Sequence, residues 1–338
     1  MSNEPLAILF GCVGETLSAE ERAFFADANP LGFILFQRNC RDPDQVRGLV
    51  AEFRACVGRA AAPVLIDQEG GRVARLKPPR WRAYPAAARL AALPDAEEAV
   101  RLGARLIADD LAALGVTVDC LPVLDLPVAG ADNVIGDRAY GGEPALVARL
   151  GRAACEGLLA GGVLPVVKHM PGHGRSHADS HLNLPVVEAS HAALAARDFA
   201  PFRVNSDLPM AMTAHVVFAA LDPDHPATTS RRAIRQVIRG EIGFDGLLLT
   251  DDLSMKALSG DFETRARDAL AAGCDVVLHC NGVMAEMTAV AGGARPLAGA
   301  AARRAKAALG RLAKAPEPFD VDAGRARFAA AFEGRWAA

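Results

Sequence analysis

The sequence predicts a single (β/α)8 barrel of the TIM type with long βα loops. Short apolar runs recur along the 338 residues, and longer segments with helical spacing separate most of them. The runs are continuously apolar, which is typical of parallel strands buried on both faces. Eight such units favour a barrel over a doubly wound sheet, and a two-domain arrangement is the alternative that strand counting leaves open. We therefore expect one domain over residues 1–338.

The predicted strands and helices alternate in chain order. The eight predicted strands are residues 6–10, 32–36, 63–66, 116–120, 163–167, 210–214, 246–250 and 274–279, each a short apolar run. The predicted helices are the Ala-, Leu- and Arg-rich segments 42–57, 97–114, 144–159, 231–242 and 264–272. A further helical region follows the last strand at residues 296–314. We expect it to belong to a C-terminal extension over about residues 296–338.

Composition and charge argue against several classes of protein. The chain has 37 Lys and Arg against 40 Asp and Glu, a formal net charge of −3, so no polybasic surface for nucleic acid is expected. Its 7 cysteines are odd in number and never arranged as Cys-x-x-Cys, which favours a reducing compartment over a disulfide framework. No segment has the roughly 20 continuous apolar residues of a membrane span. We expect a cytoplasmic protein that needs no membrane, nucleic acid or obligate protein partner.

Polar side chains follow most of the predicted strands, which is where the site of such a barrel lies. They are Asp67, Asp125, Lys168, His169, His215, Asp251, Asp252 and Asn281. Carboxylates, a lysine and imidazoles are thus expected to converge on one rim. Some could instead cap the helix that follows, a role that the position of Asp252 favours. With only 2 Trp and 2 Tyr in the chain, a small polar pocket is expected rather than a long groove of stacking rings.

Residues 168–181 contain four histidines at intervals of four residues. Pro171, Gly172 and Gly174 disfavour a helix there, so the segment is predicted to be a mobile loop over the pocket. Asp179 lies two residues before His181, close enough in a bent loop to hold one ring nitrogen while the other transfers protons.

Other interpretations of this loop remain open at this point. An isolated Asp-x-His is often a surface turn. The histidine cluster from His169 to His181 could instead serve a metal-dependent hydrolase. Lys168 could be a Schiff-base nucleophile, although no apolar setting that would activate it is evident. A barrel that only senses a sugar is the non-enzymatic alternative.

Four motifs occur in order over nearly the whole chain. They are IDQEGGRVAR at 66–75, NVIGDR at 133–138, KHMPGHG at 168–174 with ADSH at 178–181, and TDDLSM at 250–255. Together they resemble the bacterial β-N-acetylhexosaminidases of glycoside hydrolase family 3. The resemblance implies a single-domain barrel enzyme without a cofactor or metal. It implies removal of terminal β-linked N-acetylglucosamine, with retention of configuration, from muropeptides during peptidoglycan recycling in the cytoplasm.

The resemblance also implies a role for individual residues. Asp251 matches the nucleophile, His181 the general acid/base, and Asp179 the partner that orients that histidine. The residues that match sugar-binding positions are Asp67, Arg75, Arg138, Lys168 and His169. A nucleophilic carboxylate on one side of the anomeric carbon and a proton donor on the other are what a retaining glycosidase requires. His177 is an additional imidazole in the loop and a rival acid/base.

Overall fold

Eight parallel strands close into a barrel in the computed structural model, which describes residues 4–176 and 184–332. The strands of the chain are β1 (Leu6–Phe10), β2 (Pro30–Leu35), β3 (Val64–Ile66), β4 (Val118–Asp119), β5 (Leu164–Met170), β6 (Val186–Val187), β7 (Met210–Thr213), β8 (Val217–Phe218), β9 (Leu247–Asp252) and β10 (Val276–His279). Their order around the barrel is β1-β10-β9-β7-β5-β4-β3-β2, and β6 and β8 form a separate two-stranded parallel sheet. The predicted fold class is confirmed.

Helices surround the barrel. They are α1 (Ala19–Ala28), α2 (Pro43–Cys56), α3 (Ala87–Ala91), α4 (Ala96–Ala112), α5 (Pro144–Ala160), α6 (His191–Ala193), α7 (Ala200–Val204), α8 (Phe262–Ala272), α9 (Met284–Gly293), α10 (Gly299–Gly310) and α11 (Val321–Ala331), with π-helical segments at Leu194–Asp198 and Ala233–Glu241. None of those in the described ranges is long and apolar enough to cross a bilayer.

The strands are buried because both of their faces are covered. β2, β3 and β5 are buried at every position, with side chains such as Phe33, Ile66 and Val166 turned into one continuous apolar core. This burial on both sides explains why the strands are continuous apolar runs in the sequence. β5 and β9 extend to Met170 and Asp252, beyond the predicted ends. The polar residues at these two ends are therefore held by strand pairing rather than by loops.

The C-terminal helices pack against the outside of the barrel. Phe328 of α11 is buried, and its ring lies so close to Gly103 of α4 that a Cβ at that position would come within 2.9 Å of it. Arg304 of α10 donates to Asp275, the residue before β10. Both helices thus have specific contacts with barrel elements. The absence of a side chain at Gly103 permits the close packing of Phe328 against α4.

Candidate active site

The carboxyl ends of the strands surround one cavity of about 490 Å³. Predicted site residues that line it are Asp67, Arg75, Arg138, Lys168, His169 and Asp251, and apolar side chains that line it include Ile34, Phe36, Met212 and Leu278. The structure therefore brings together six of the eight residues to which the sequence assigned catalysis or sugar binding. The other two, Asp179 and His181, lie outside the described residues, as does His177.

Asp67 follows β3 and is held by two cations. Lys168 Nζ donates to its Oδ1 at 2.8 Å, and Arg75 Nη2 donates to its Oδ2 at 2.8 Å. Burial alone would raise the pKa of Asp67, but Lys168 and Arg75 outweigh it and hold that pKa well below the usual range. The Arg75 guanidinium also lies over the Phe36 ring, 4.9 Å from its centroid. The arrangement fixes an ionised carboxylate at the edge of the cavity.

Glu69 joins two of the predicted sugar-binding cations, a role that sequence reasoning missed. Lys168 Nζ lies 2.6 Å from its Oε1, and Arg138 binds both of its oxygens at 2.8 Å. The only sequence signal was a second carboxylate two residues after Asp67. Burial would lower the pKa of Lys168, but Asp67 and Glu69 raise it instead. Lys168 is therefore a protonated amine, which argues against a Schiff-base nucleophile.

His169 is held by a buried carboxylate from the neighbouring loop. Its Nδ1 lies 2.6 Å from Oδ2 of Asp125, whose side chain is fully buried. The ring of His173 meets that of His169 edge to face, with centroids 5.7 Å apart. Burial and the neighbouring His169 lower the pKa of His173 to about 4. His173 is therefore neutral at physiological pH, although it also lines the cavity.

Asp251 lies near the end of β9 and lines the cavity as an ionised carboxylate. Burial alone would raise the pKa of Asp251. His215 and His169 lower it by more than burial raises it, so the pKa of Asp251 lies below its usual value. His215 lies behind the end of β9. Its Nε2 is 3.0 Å from the Asp252 carbonyl oxygen, and its Nδ1 is 2.7 Å from Thr228 Oγ1. His215 thus supports the end of β9.

Two other strand-end residues serve local structure. Asp252 accepts from the backbone N–H of Ser254 at 3.0 Å and of Cys280 at 3.1 Å. The prediction that Asp252 caps a helix is wrong, because the next helix begins at Phe262. Its cap is Asp261, which accepts from the N–H of Thr264. Asn281 accepts from the N–H of Val283, in the turn that precedes α9.

Metal binding receives no support from the described part of the chain. Within residues 4–176 and 184–332, no three His, Cys, Asp or Glu side chains are grouped so that they could hold a metal ion. His169, the first histidine of the predicted cluster, is bound to Asp125.

A (β/α)8 barrel with an ionised strand-end carboxylate beside a small cavity of cations and carboxylates has the features that a barrel glycoside hydrolase requires. Residues 9–313 match the family model described as Glycosyl hydrolase family 3 N terminal domain. The chain belongs to this family and is a glycoside hydrolase.

Curated relatives and solved structures agree with this assignment. A Beta-hexosaminidase of Alkalilimnicola ehrlichii is 41% identical over 81% of this chain and 80% of its own length. One of Pseudomonas aeruginosa is 40% identical over 79% of this chain and 80% of its own. The crystal structure of NagZ from Neisseria gonorrhoeae in complex with N-trifluoroacetyl-D-glucosamine superposes with a TM-score of 0.85 at 32% identity, covering 97% of this chain and 98% of that one.

Proposed function

We propose that the chain is a retaining exo-β-N-acetylglucosaminidase that hydrolyses terminal, non-reducing β-linked N-acetylglucosamine. The observation that carries this proposal is the ionised Asp251 on the wall of a cavity that also holds Asp67, Lys168 and His169. The names of the curated relatives support a hexosaminide substrate. The N-acylated glucosamine in the Neisseria gonorrhoeae structure supports an N-acetylated sugar.

The proposed reaction has two displacements at the anomeric carbon. Asp251 attacks that carbon and forms a covalent glycosyl ester, while His181 donates a proton to the departing glycosidic oxygen. His181 then takes a proton from water, which attacks the same carbon and releases Asp251, so configuration is retained. Asp179 orients the histidine. The roles of Asp179 and His181 rest on the sequence motif, since both lie outside the described residues.

The proposed sugar site uses residues that already hold one another in place. Lys168 has three N–H groups, of which two are engaged by Asp67 and Glu69, so one is left for a sugar hydroxyl. Arg138 likewise has donors beyond the two that bind Glu69. Such pre-ordered donors bind a hydroxyl without losing further side-chain entropy. Arg75, Asp67 and His169 complete the set that we assign to the terminal sugar.

We further propose muropeptides that carry N-acetylglucosamine as the physiological substrates, and cytoplasmic peptidoglycan recycling as the setting. A cavity of about 490 Å³ suits one terminal sugar. No cofactor enters the proposed reaction. Helices α10 and α11 are proposed to form part of the same catalytic domain, given their contacts with Asp275 and with α4.

The assignment of Asp251 as the nucleophile predicts a large loss of activity in the variant Asp251→Ala. With an aryl β-N-acetylglucosaminide as substrate, we expect kcat to fall by at least about 10⁴-fold, because the covalent step is lost. The matched control is Asp245→Ala, which removes an exposed carboxylate just before the amino end of the same strand and should leave kcat unchanged. A 5-fluoro glycosyl fluoride of N-acetylglucosamine should label the wild-type peptide that contains Asp251, as read by mass spectrometry.

Undiminished turnover by Asp251→Ala, or a label on another carboxylate, would contradict the assignment. Loss of wild-type turnover after exhaustive chelation, restored by added metal, would favour the metal-dependent alternative. Binding of N-acetylglucosamine without turnover would favour a sugar sensor.

A further inference from the structure

Asp125 is a buried carboxylate just below the cavity that the proposed reaction leaves without a role. The chain that follows β4 runs beside the end of β5, where Lys168 N–H donates to the carbonyl of Pro122 and Leu124 N–H donates to the carbonyl of Lys168. This pairing continues the barrel beyond the two residues of β4. It places the fully buried side chain of Asp125 against the backbone and ring of His169.

Three N–H groups converge on Asp125. The backbone N–H of His173 donates to its Oδ1 at 2.6 Å, and the backbone N–H of His169 lies 3.2 and 3.3 Å from its two oxygens. The third is Nδ1 of His169, 2.6 Å from Oδ2. Burial would raise the pKa of Asp125, but His169 and the His173 N–H outweigh it. An ionised carboxylate only accepts hydrogen bonds, so Nδ1 of His169 carries a proton.

This contact decides which ring nitrogen of His169 remains for a ligand. With Nδ1–H engaged by Asp125, Nε2 is the nitrogen left for the cavity that His169 lines. We propose that Asp125 is a positioning residue for the sugar-binding His169, whose Nδ1–H it holds and whose Nε2 it thereby directs to a sugar hydroxyl. This inference rests on the proposed function of the cavity as a sugar site.

The described residues that face His169 are two carboxylates, two imidazoles and an ion-paired lysine. Asp125 faces it from the loop after β4, and Asp251 faces it from β9. The remaining neighbours are His215, after β7, and His173, in its own loop, whose pKa values are both lowered by burial, so neither adds a positive charge at neutral pH. Lys168, the preceding residue, is neutralised by Asp67 and Glu69. The carboxylate of Asp125 is thus the charged group that binds the ring of His169 directly.

The test is Asp125→Asn, which keeps an oxygen for the backbone N–H groups but removes the charge. If the amide oxygen of the Asp125→Asn variant keeps the hydrogen bonds from the backbone, its NH₂ faces Nδ1 of His169, so Nδ1 must accept and the ring proton moves to Nε2. We expect kcat/KM for the aryl substrate to fall by about 10- to 100-fold, as for loss of a charge-assisted hydrogen bond. We also expect product inhibition by N-acetylglucosamine to weaken.

A double-variant cycle separates positioning from general support of the loop. In a His169→Gln background, Asp125→Asn should produce little further loss of kcat/KM, because the ring through which it acts is gone. If the two losses multiply instead, Asp125 acts through the His173 backbone or the fold, and the proposal is wrong.

A measurement on the wild-type protein, assigned with one variant, does not depend on turnover. In ¹⁵N–¹H spectra of the imidazoles at pH 7, the ring that disappears in His169→Gln should carry a proton on Nδ1. A His169 ring with an unprotonated Nδ1 would overturn the proposal. Because this spectrum is recorded without substrate, it tests the Asp125–His169 pair even if the proposed glycosidase activity is not found.

Discussion

Two buried carboxylates at opposite ends of the barrel are each held by two cationic side chains. Glu69, beside the carboxyl ends of the strands, binds Lys168 and Arg138. Asp275, just before the amino end of β10, is bound by two arginines, Arg239 at 2.7 Å and Arg304 at 3.1 Å. Both carboxylate side chains are only 4% exposed. By charge, burial and distance the two networks are nearly equivalent.

They differ in where the cations direct their remaining donors. Arg239 also donates to the carbonyls of Phe244 and Gly246, and Arg304 also donates to Asp245. The network of Asp275 thus joins α10 and the π-helical segment Ala233–Glu241 to the amino ends of the barrel strands. Arg138 Nη1 donates to the carbonyl of Val134 at 3.1 Å, but both Arg138 and Lys168, unlike Arg239 and Arg304, line the cavity. A buried ion pair alone does not indicate a functional site. The Glu69 network differs from the Asp275 network because its two cations line the cavity.

The largest effect expected from this comparison is that of Glu69→Gln on sugar binding. The change removes the negative charge shared by Lys168 and Arg138, which leaves Arg138 without its charged partner and Lys168 with Asp67 alone. We expect kcat/KM for the aryl β-N-acetylglucosaminide to fall about 100-fold, the upper end for loss of a charge-assisted hydrogen bond. Inhibition by N-acetylglucosamine should weaken in parallel. Unchanged kcat/KM would show that the two cations need no carboxylate between them.

Asp275→Asn is the matched change at the other end of the barrel. It should lower the free energy of unfolding by about 2 kcal/mol, because two arginines lose a charged acceptor. Urea denaturation followed by circular dichroism measures this. At 25 °C its kcat/KM should stay at the wild-type value, since none of the residues involved lines the cavity. A loss of kcat/KM comparable to that of Glu69→Gln would break the distinction between the two networks.

The barrel could be predicted from the sequence because strands buried on both faces leave a local signal. The continuous apolar runs marked all eight barrel strands, and the polar residues after them marked Asp67, Lys168 and Asp251. β6 and β8, each of two residues in a separate small sheet, were missed. What the sequence could not provide is pairing across long separations. Asp125 and His169 are 44 residues apart, and nothing local to either indicates the other.

Local rules also misjudged polar residues whose partners come from another strand. Asp252 has the sequence context of a helix cap, yet one of its partners is the N–H of Cys280, on the neighbouring strand's loop. Glu69 lies in the motif at 66–75, but no function could be assigned to it from the sequence alone. Its position between Lys168 and Arg138 depends on how the end of β5 meets the loops that follow β3 and β4, which requires the closed barrel.

A third buried carboxylate, Asp119, lies at the same end of the barrel as Glu69. It lies at the end of β4, where its Oδ1 accepts from the N–H of Gln68 at 2.9 Å. Burial raises the pKa of Asp119 well above its ordinary value, and the nearby Asp67 and Glu69 add to that effect. Burial therefore favours the protonated form of Asp119 in the folded protein. The carboxylates in direct contact with Lys168 Nζ are Asp67 and Glu69.

The smallest expected effect is the change in pH dependence caused by Asp119→Asn, whose amide imitates the protonated acid. Above the ordinary carboxyl pKa of 3.8, unfolding of the wild type releases the proton of Asp119, so its stability falls as pH rises. From pH 5 to pH 6 the wild type should lose unfolding free energy relative to the variant, by up to about 1.4 kcal/mol for this one group. The lowered pKa values of Asp67 and Glu69 act in the opposite direction, but only at lower pH and in both proteins alike. Urea unfolding at the two pH values measures the difference, and parallel pH dependence would mean that Asp119 is ionised in the fold and competes for Lys168.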